Sequence, residues 1–207
     1  MIEALRRRKE IGAIAASGRH LAQAITAPIS HHQDPCCVLE VGAGTGAFTR
    51  HILDRMKPGD AADIVELNEK FCAQLRSDVI EPWAAETTDR TARVIEGGIE
   101  EVDLRSAYQV VVCGLPFNMF PPEVSDRILR QLVDVLAPGG TLAFFEYVGL
   151  PRIRRTVPGP WQRHARQYRA VFQAISEGMQ CQRRFIFWNV LPAWAVFLRS
   201  DSSPSGH

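Results

Sequence analysis

Val38-Leu39-Glu40-Val41-Gly42-Ala43-Gly44-Thr45-Gly46-Ala47-Phe48 is the stretch whose reading decides the fold. Val38, Leu39 and Val41 around a single acid read as a buried parallel strand. Glycines at 42, 44 and 46 let the backbone turn tightly and let a ligand lie against main-chain atoms. From Ala47 to Met56 the apolar side chains recur at helical spacing, so a helix opens where the glycines stop. Strand, glycine-rich turn and helix together form the first unit of a nucleotide-binding α/β sheet.

The turn narrows the ligand. A dinucleotide fingerprint is G-x-G-x-x-G with a pyrophosphate at the helix N-terminus. Here the pattern is E-x-G-x-G-x-G, and Glu40 stands on the strand just ahead of the turn. A carboxylate repels a pyrophosphate and welcomes a cation, so the better ligand is S-adenosylmethionine, with its sulfonium and amino acid moiety. At this point the stretch resembles motif I of the Rossmann-like methyltransferases. That resemblance implies a cofactor cradle of Glu40, Gly42, Ala43, Gly44 and Gly46. A nicotinamide enzyme is the competing reading.

Composition bounds the rest. With 207 residues, 46% of them hydrophobic, the chain is expected to form one domain with a sizeable core. No apolar run approaches the roughly 20 residues that span a bilayer. The basic run Arg6-Arg7-Arg8-Lys9 is followed by a Gly/Ala-rich amphipathic segment rather than the apolar core of a signal peptide. Cysteines 36, 37, 72, 113 and 181 show neither metal-ligand spacing nor a disulfide framework, so a reduced, cytoplasmic, metal-free protein is expected.

The net charge of +1 hides an asymmetry. Residues 1–20 carry five Lys/Arg against two acids, residues 21–150 ten against nineteen, and residues 151–207 nine against two. An acidic middle between basic ends points to an anionic partner met by the ends, either lipid headgroups or nucleic acid. Ile11, Ile14, Leu21 and Ile25 recur at helical spacings behind the N-terminal basic run, with Gly12 or Gly18 as candidate breaks. Such a helix can lie in a membrane interface or cover the active site as a lid.

Beyond the turn, strands and helices alternate. Ala61–Leu67 reads as the second strand, and its Glu66 lies at the spacing where an acid accepts hydrogen bonds from ribose hydroxyls. A helix is expected over 69–79, a polar loop over 83–90 and a third strand over 92–96. The loop at Gly98, Ile99 and Glu100 is where the superfamily holds adenine, although many relatives have an acid where this chain has Gly98. Tyr108–Cys113 is a fourth buried strand, running into Gly114-Leu115-Pro116-Phe117-Asn118. Amine and adenine methyltransferases often carry Asn/Asp-Pro-Pro-Tyr or Asn-Leu-Pro-Tyr there. With glycine at the amide position, only backbone carbonyls and an aromatic remain, which favours a flexible primary amine over a flipped base. A helix over 124–136, a turn at 137–140, a strand over 141–147, and C-terminal strands over 179–188 and 194–198 complete the expectation.

Gly114-Leu115-Pro116-Phe117, Phe144-Phe145-Glu146-Tyr147, Ile11–Ser17 and Asn189–Ala193 together resemble the bacterial soluble phospholipid N-methyltransferases, which methylate phosphatidylethanolamine. The ornithine-lipid N-methyltransferases look similar. The resemblance implies a class I methyltransferase: a three-layer αβα sandwich with a mostly parallel seven-stranded sheet and an antiparallel C-terminal hairpin. It implies an N-terminal lid over 1–30, a catalytic domain over 31–199 and a disordered tail over 200–207. S-adenosylmethionine is the implied cofactor and S-adenosylhomocysteine its product. Cofactor contacts fall on Ser17, Glu40, the 42–46 turn, Glu66, Leu67, Gly98, Ile99, Glu100 and Gly114. Tyr147, Leu115 and Phe117 are the catalytic candidates.

The lipid reading assigns Phe120, Arg152, Arg155 and Trp161 to the substrate. Arg163, Arg166 and Arg169 follow as a basic helical stripe for the headgroup phosphate. It places the protein in the cytoplasm, held peripherally at the inner membrane on anionic lipid. Alternatives are an RNA adenine N6-dimethyltransferase, which shares the L-P-F turn, and an accessory protein that binds the cofactor without catalysis. The number of methyl groups transferred and the oligomeric state are not encoded in any motif.

Overall fold

β-branched and aliphatic runs bounded by glycine and proline build the sheet, and helical runs fill both its faces. The computed structural model describes residues 18–105, 107–148, 160–188 and 191–201, with the side chains of 160–162 outside the description. The strands are β1 (Cys37–Val41), β2 (Ala61–Glu66), β3 (Thr91–Glu96), β4 (Tyr108–Cys113), β5 (Leu136–Tyr147), β6 (Gln180–Ile186) and β7 (Ala193–Arg199). The helices are α1 (Arg19–Thr26), α2 (Ala47–Arg55), α3 (Glu69–Leu75), α4 (Glu81–Ala85), α5 (Pro122–Asp134) and α6 (Pro160–Ser176).

The seven strands lie in the order β3-β2-β1-β4-β5-β7-β6. The first five are parallel, and β7 runs antiparallel to both of its neighbours. Chain order reverses between β1 and β4, which opens a crevice at the carboxyl ends of those strands. Alternate residues feed two cores, as the pleat requires. Val38, Ile64, Val112 and Phe145 pack with Leu21 and Ile25 of α1 and with Ile52 of α2. Leu39, Val65, Val111 and Phe144 pack with Leu129 of α5 and Tyr168 of α6. The outcome is the expected three-layer αβα sandwich with an antiparallel terminal pair.

Three elements differ from expectation. The helix beginning at Glu69 stops at Leu75 and passes through a wider turn, Arg76–Ile80, into α4. Pro82 has no amide hydrogen for the Asp78 carbonyl, which takes Arg50 Nη1 at 3.3 Å instead. The Glu81 amide reaches back five residues to Arg76. Trp83 thus sits in α4 rather than in a loop. Residues 137–140 join β5 rather than preceding it, because the end of β7 pairs with them: Gly139 N donates to Asp201 O and Ser200 N to Gly140 O. Ser200 and Asp201 are therefore bound to the sheet, while residues 202–207 of the expected tail lie outside the described residues.

Gly18 caps α1, whose Leu21, Ala22, Ala24 and Ile25 are buried against the β5–β7 side of the sheet. This part of the expected lid is a fixed wall of the core. The basic stretch 1–17, including Ser17, lies outside the described residues, as do Arg152, Arg155 and the Asn189-Val190 pair. No helix among the described residues is long and apolar enough to cross a membrane.

Candidate active site

The turn after β1 is tied to the end of β2 through its amides. Gly42, Gly44 and Gly46 have φ of 76°, 59° and 87°, values that L side chains rarely adopt. Gly42 N donates to Val65 O at 2.8 Å, and Gly44 N donates to Glu66 Oε2 at 2.7 Å. A side chain built at Gly44 would meet nothing within 4 Å, so the turn faces open space.

Glu66 ends β2 and is buried, with Oε1 accepting from Asn68 N at 2.9 Å. Its carboxylate therefore braces the glycine turn from one side and the entry to α3 from the other. Leu67, next in the chain, is half-buried. Glu40 is wholly buried behind the turn, and its Oε2 accepts from Thr49 Oγ1 of α2 at 2.7 Å. Glu40 Oε1 has no hydrogen-bond partner among the described residues. Burial pushes the Glu40 carboxyl up to about 8, helped by the nearby Glu66 charge and opposed by the Thr49 hydrogen bond.

The second wall comes from β4. Gly114 N donates to Val41 O at 2.8 Å, and a Cβ at Gly114 would lie 2.6 Å from Gly42 O. The two strand ends approach so closely that no side chain fits between them. The glycine at the amide position is thus imposed by packing. Beyond it, Phe117 is fully buried with its ring edge-on to Phe144 at 5.4 Å, and Leu115 and Phe120 are buried in the same α5-side core. Tyr147 points to the opposite face, 4.9 Å from the Phe145 ring. The aromatics expected to flank the amine together are therefore split across the sheet.

Tyr147 is buried, which raises its phenol above the ordinary value. Beside it lies Asn118, to which the sequence analysis gave no role. Asn118 Nδ2 donates to the Tyr147 carbonyl at 3.1 Å, which fixes the amide's orientation because only the NH₂ can donate. The Asn118 Oδ1 is then left buried without a partner among the described residues. An asparagine in the turn that follows a buried strand was the one available signal.

Two of the remaining candidates have protein partners of their own. Ile99 is buried against the α5 side, and its carbonyl accepts from Gln131 Nε2 at 2.6 Å. Glu100 pairs with Arg127 Nε at 2.7 Å, while Gly98 is half-buried between them and β3. Trp161 lies in α6, its side chain outside the described residues. Arg163, Arg166 and Arg169 are exposed on that helix. The structure therefore gathers Glu40, the glycine turn, Glu66 and Gly114 at one spot, with Asn118 and Tyr147 at the ends of the neighbouring strands. Among the described residues there is no cluster of three His, Cys, Asp or Glu suited to a metal ion.

Residues 38–140 match a family model described as a methyltransferase domain. The chain is 31% identical over 172 residues to the ornithine lipid N-methyltransferase of Singulisphaera acidiphila, covering 78% of this chain and 74% of that protein. The crystal structure of the N-methyltransferase NodS from Bradyrhizobium japonicum superposes with a TM-score of 0.62 at 13% identity, over 88% of this chain and 96% of that one. The Burkholderia thailandensis 1,6-didemethyltoxoflavin-N1-methyltransferase, solved with S-adenosylhomocysteine bound, gives 0.61 at 16% identity, over 97% and 85%. These last two likenesses concern the fold.

Proposed function

Since the chain belongs to the class I S-adenosylmethionine-dependent methyltransferases, we propose that it N-methylates the amine of an aminolipid headgroup at a membrane surface. The site is the carboxyl edge of β1, β2 and β4, and the surface is the cytoplasmic face of the inner membrane. The residues there fit the cofactor. Open space in front of Gly44 admits a ligand to the backbone, and the orphaned Glu40 Oε1 is a buried polar atom that would accept from a cationic or donor group once the carboxyl ionises. Glu40, the 42–46 turn and Glu66 would hold S-adenosylmethionine, which when bound supplies an electrophilic methyl group.

The chain's own task is to present a neutral nitrogen in line. Enclosure of the amine away from water disfavours its ammonium form and frees the lone pair. Asn118 Oδ1 would accept one N–H of the amine, and we assign the Tyr147 hydroxyl as the acceptor of another. With two N–H bonds held, the lone pair is aimed, and alignment supplies most of the rate in a displacement of this kind. Each transfer would form one N–C bond as the donor's S–CH3 bond breaks, leaving S-adenosylhomocysteine, and would release one proton from nitrogen.

The observation that carries the reading is the bare junction at Gly114, where no side chain stands to read the edge of a base. The relative named for ornithine lipid and the basic ends of the chain support the lipid over other amines. The test is incubation with methyl-labelled S-adenosylmethionine and a panel of phosphatidylethanolamine, ornithine lipid and adenine-rich RNA. Label in a lipid amine is the expected result. Label in RNA alone overturns the proposal.

A further inference from the structure

Large apolar side chains that stay exposed are few in a folded chain, and a contiguous group of them marks an interaction surface. Among the described residues they are Phe185, Phe187, Trp188 and Trp194, at 44%, 63%, 75% and 36% exposure, all where β6 ends and β7 begins. They form one continuous patch: Phe185 lies 5.0 Å from Trp194 and 6.4 Å from Phe187, and Phe187 lies 5.5 Å from Trp188. A groove of about 430 Å³ runs from Phe187 and Trp188 past Arg184 to His20 and Ala24 of α1.

The charge around the patch is one-sided. β6 contributes Arg183 and Arg184 and no acid. Arg183 lies 4.8 Å over the Phe172 ring and 3.5 Å from Glu146, whose other oxygen accepts from Tyr168, so that acid is already neutralised. Arg184 has no ion-pair partner among the described residues. The two acids of residues 151–207, Glu177 and Asp201, fall at the opposite edge of the sheet, before β6 begins and after β7 ends.

Register puts the patch beside the reaction. Ile186 pairs with Ala193, and Ala193 with Tyr147, so the patch begins two strands from Tyr147, about 10 Å at the ordinary strand spacing. Tryptophan and phenylalanine beside unpaired arginine is the chemistry of the headgroup layer of an anionic bilayer. We propose that the β6–β7 end, through Phe187, Trp188, Phe185 and Arg184, docks on an anionic lipid bilayer and sets the crevice at headgroup depth. This deepens the aminolipid reading and rests on it for the purpose of docking.

The test is co-sedimentation of the full chain with vesicles of phosphatidylcholine, with and without phosphatidylglycerol. Wild type should partition onto the anionic vesicles and lose binding as salt rises. The double variant Phe187→Ala/Trp188→Ala should bind about tenfold more weakly, and Arg184→Glu should lose most of the anionic preference. Both variants should keep wild-type turnover on a short-chain, water-soluble aminolipid, which also reports that they are folded. Wild-type partitioning by the double variant overturns the inference, as does a dimer that the same substitutions break without any change on vesicles. Failure to methylate any aminolipid, with vesicle binding lost in the variants, sinks the substrate proposal and leaves the docking surface standing.

Discussion

The two sides of the sheet treat their charged groups in opposite ways. Around β1 and β2, acids are drawn inside: Asp60 holds the Cys36 and Lys57 amides, Asp63 takes Arg93 and Tyr108, Glu66 braces the glycine turn, and Glu40 keeps one oxygen without a partner among the described residues. Around β6 and α6, arginines and aromatics remain at the surface. The first side fits a small cation held against backbone, and the second fits a large anionic surface met from outside. The difference teaches that the chain separates recognition of the donor from recognition of what presents the acceptor. The crevice between β1 and β4 joins the two.

That division can be broken first at the junction itself. Gly114→Ala forces a methyl group against the Gly42 carbonyl, which lies 2.6 Å from the position it would take. We expect a stability loss of about 2–3 kcal/mol by chemical denaturation, together with loss of cofactor binding. A stable variant with normal binding would show that the junction is not closed.

Asn118→Ala is the next largest. It leaves the donor side intact, so S-adenosylhomocysteine affinity should hold while kcat on the lipid amine falls about 100-fold. Equal losses of both would make Asn118 a scaffold residue. Tyr147→Phe removes one hydroxyl and is expected to cost about tenfold in kcat with little change in KM. Full activity would leave Tyr147 a packing residue.

A further test concerns pH. Glu40 titrates near 8 in the folded chain against 4.5 for an ordinary glutamate, so the native state holds a proton that the unfolded state releases. Its contribution is complete below about pH 4.5, declines by at most about 1.4 kcal/mol per pH unit as pH rises, and levels off above about 8. Glu40→Gln should flatten that slope in denaturation curves taken across this range. An unchanged slope would mean that Glu40 is already ionised in the free protein.

The donor side was the more legible in sequence for a physical reason. Its glycines, strand acids and helix start are local, all falling between Val38 and Glu66, where periodicity fixes each position relative to the turn. The mostly parallel seven-stranded sheet was what the family resemblance implied, and the alternation of strands and helices agreed with it; the strand order came from the structure. The acceptor side depends on contacts between distant segments, which spacing does not carry. Asn118 gains its orientation from a carbonyl twenty-nine residues away. Phe117 opens the turn after β4 and Tyr147 ends β5, yet the two aromatics pack into opposite cores of the sheet. Likewise, the break after Leu75 comes from Pro82, whose missing amide displaces a bond four residues back.

The central claim is that an acid-braced glycine turn holds the methyl donor, and Glu66 tests it most directly. Calorimetric titration of S-adenosylhomocysteine into Glu66→Ala should give binding at least about tenfold weaker than wild type, because Gly44 N–H loses its acceptor and the ribose loses its own. Wild-type affinity in a folded Glu66→Ala protein would contradict the account.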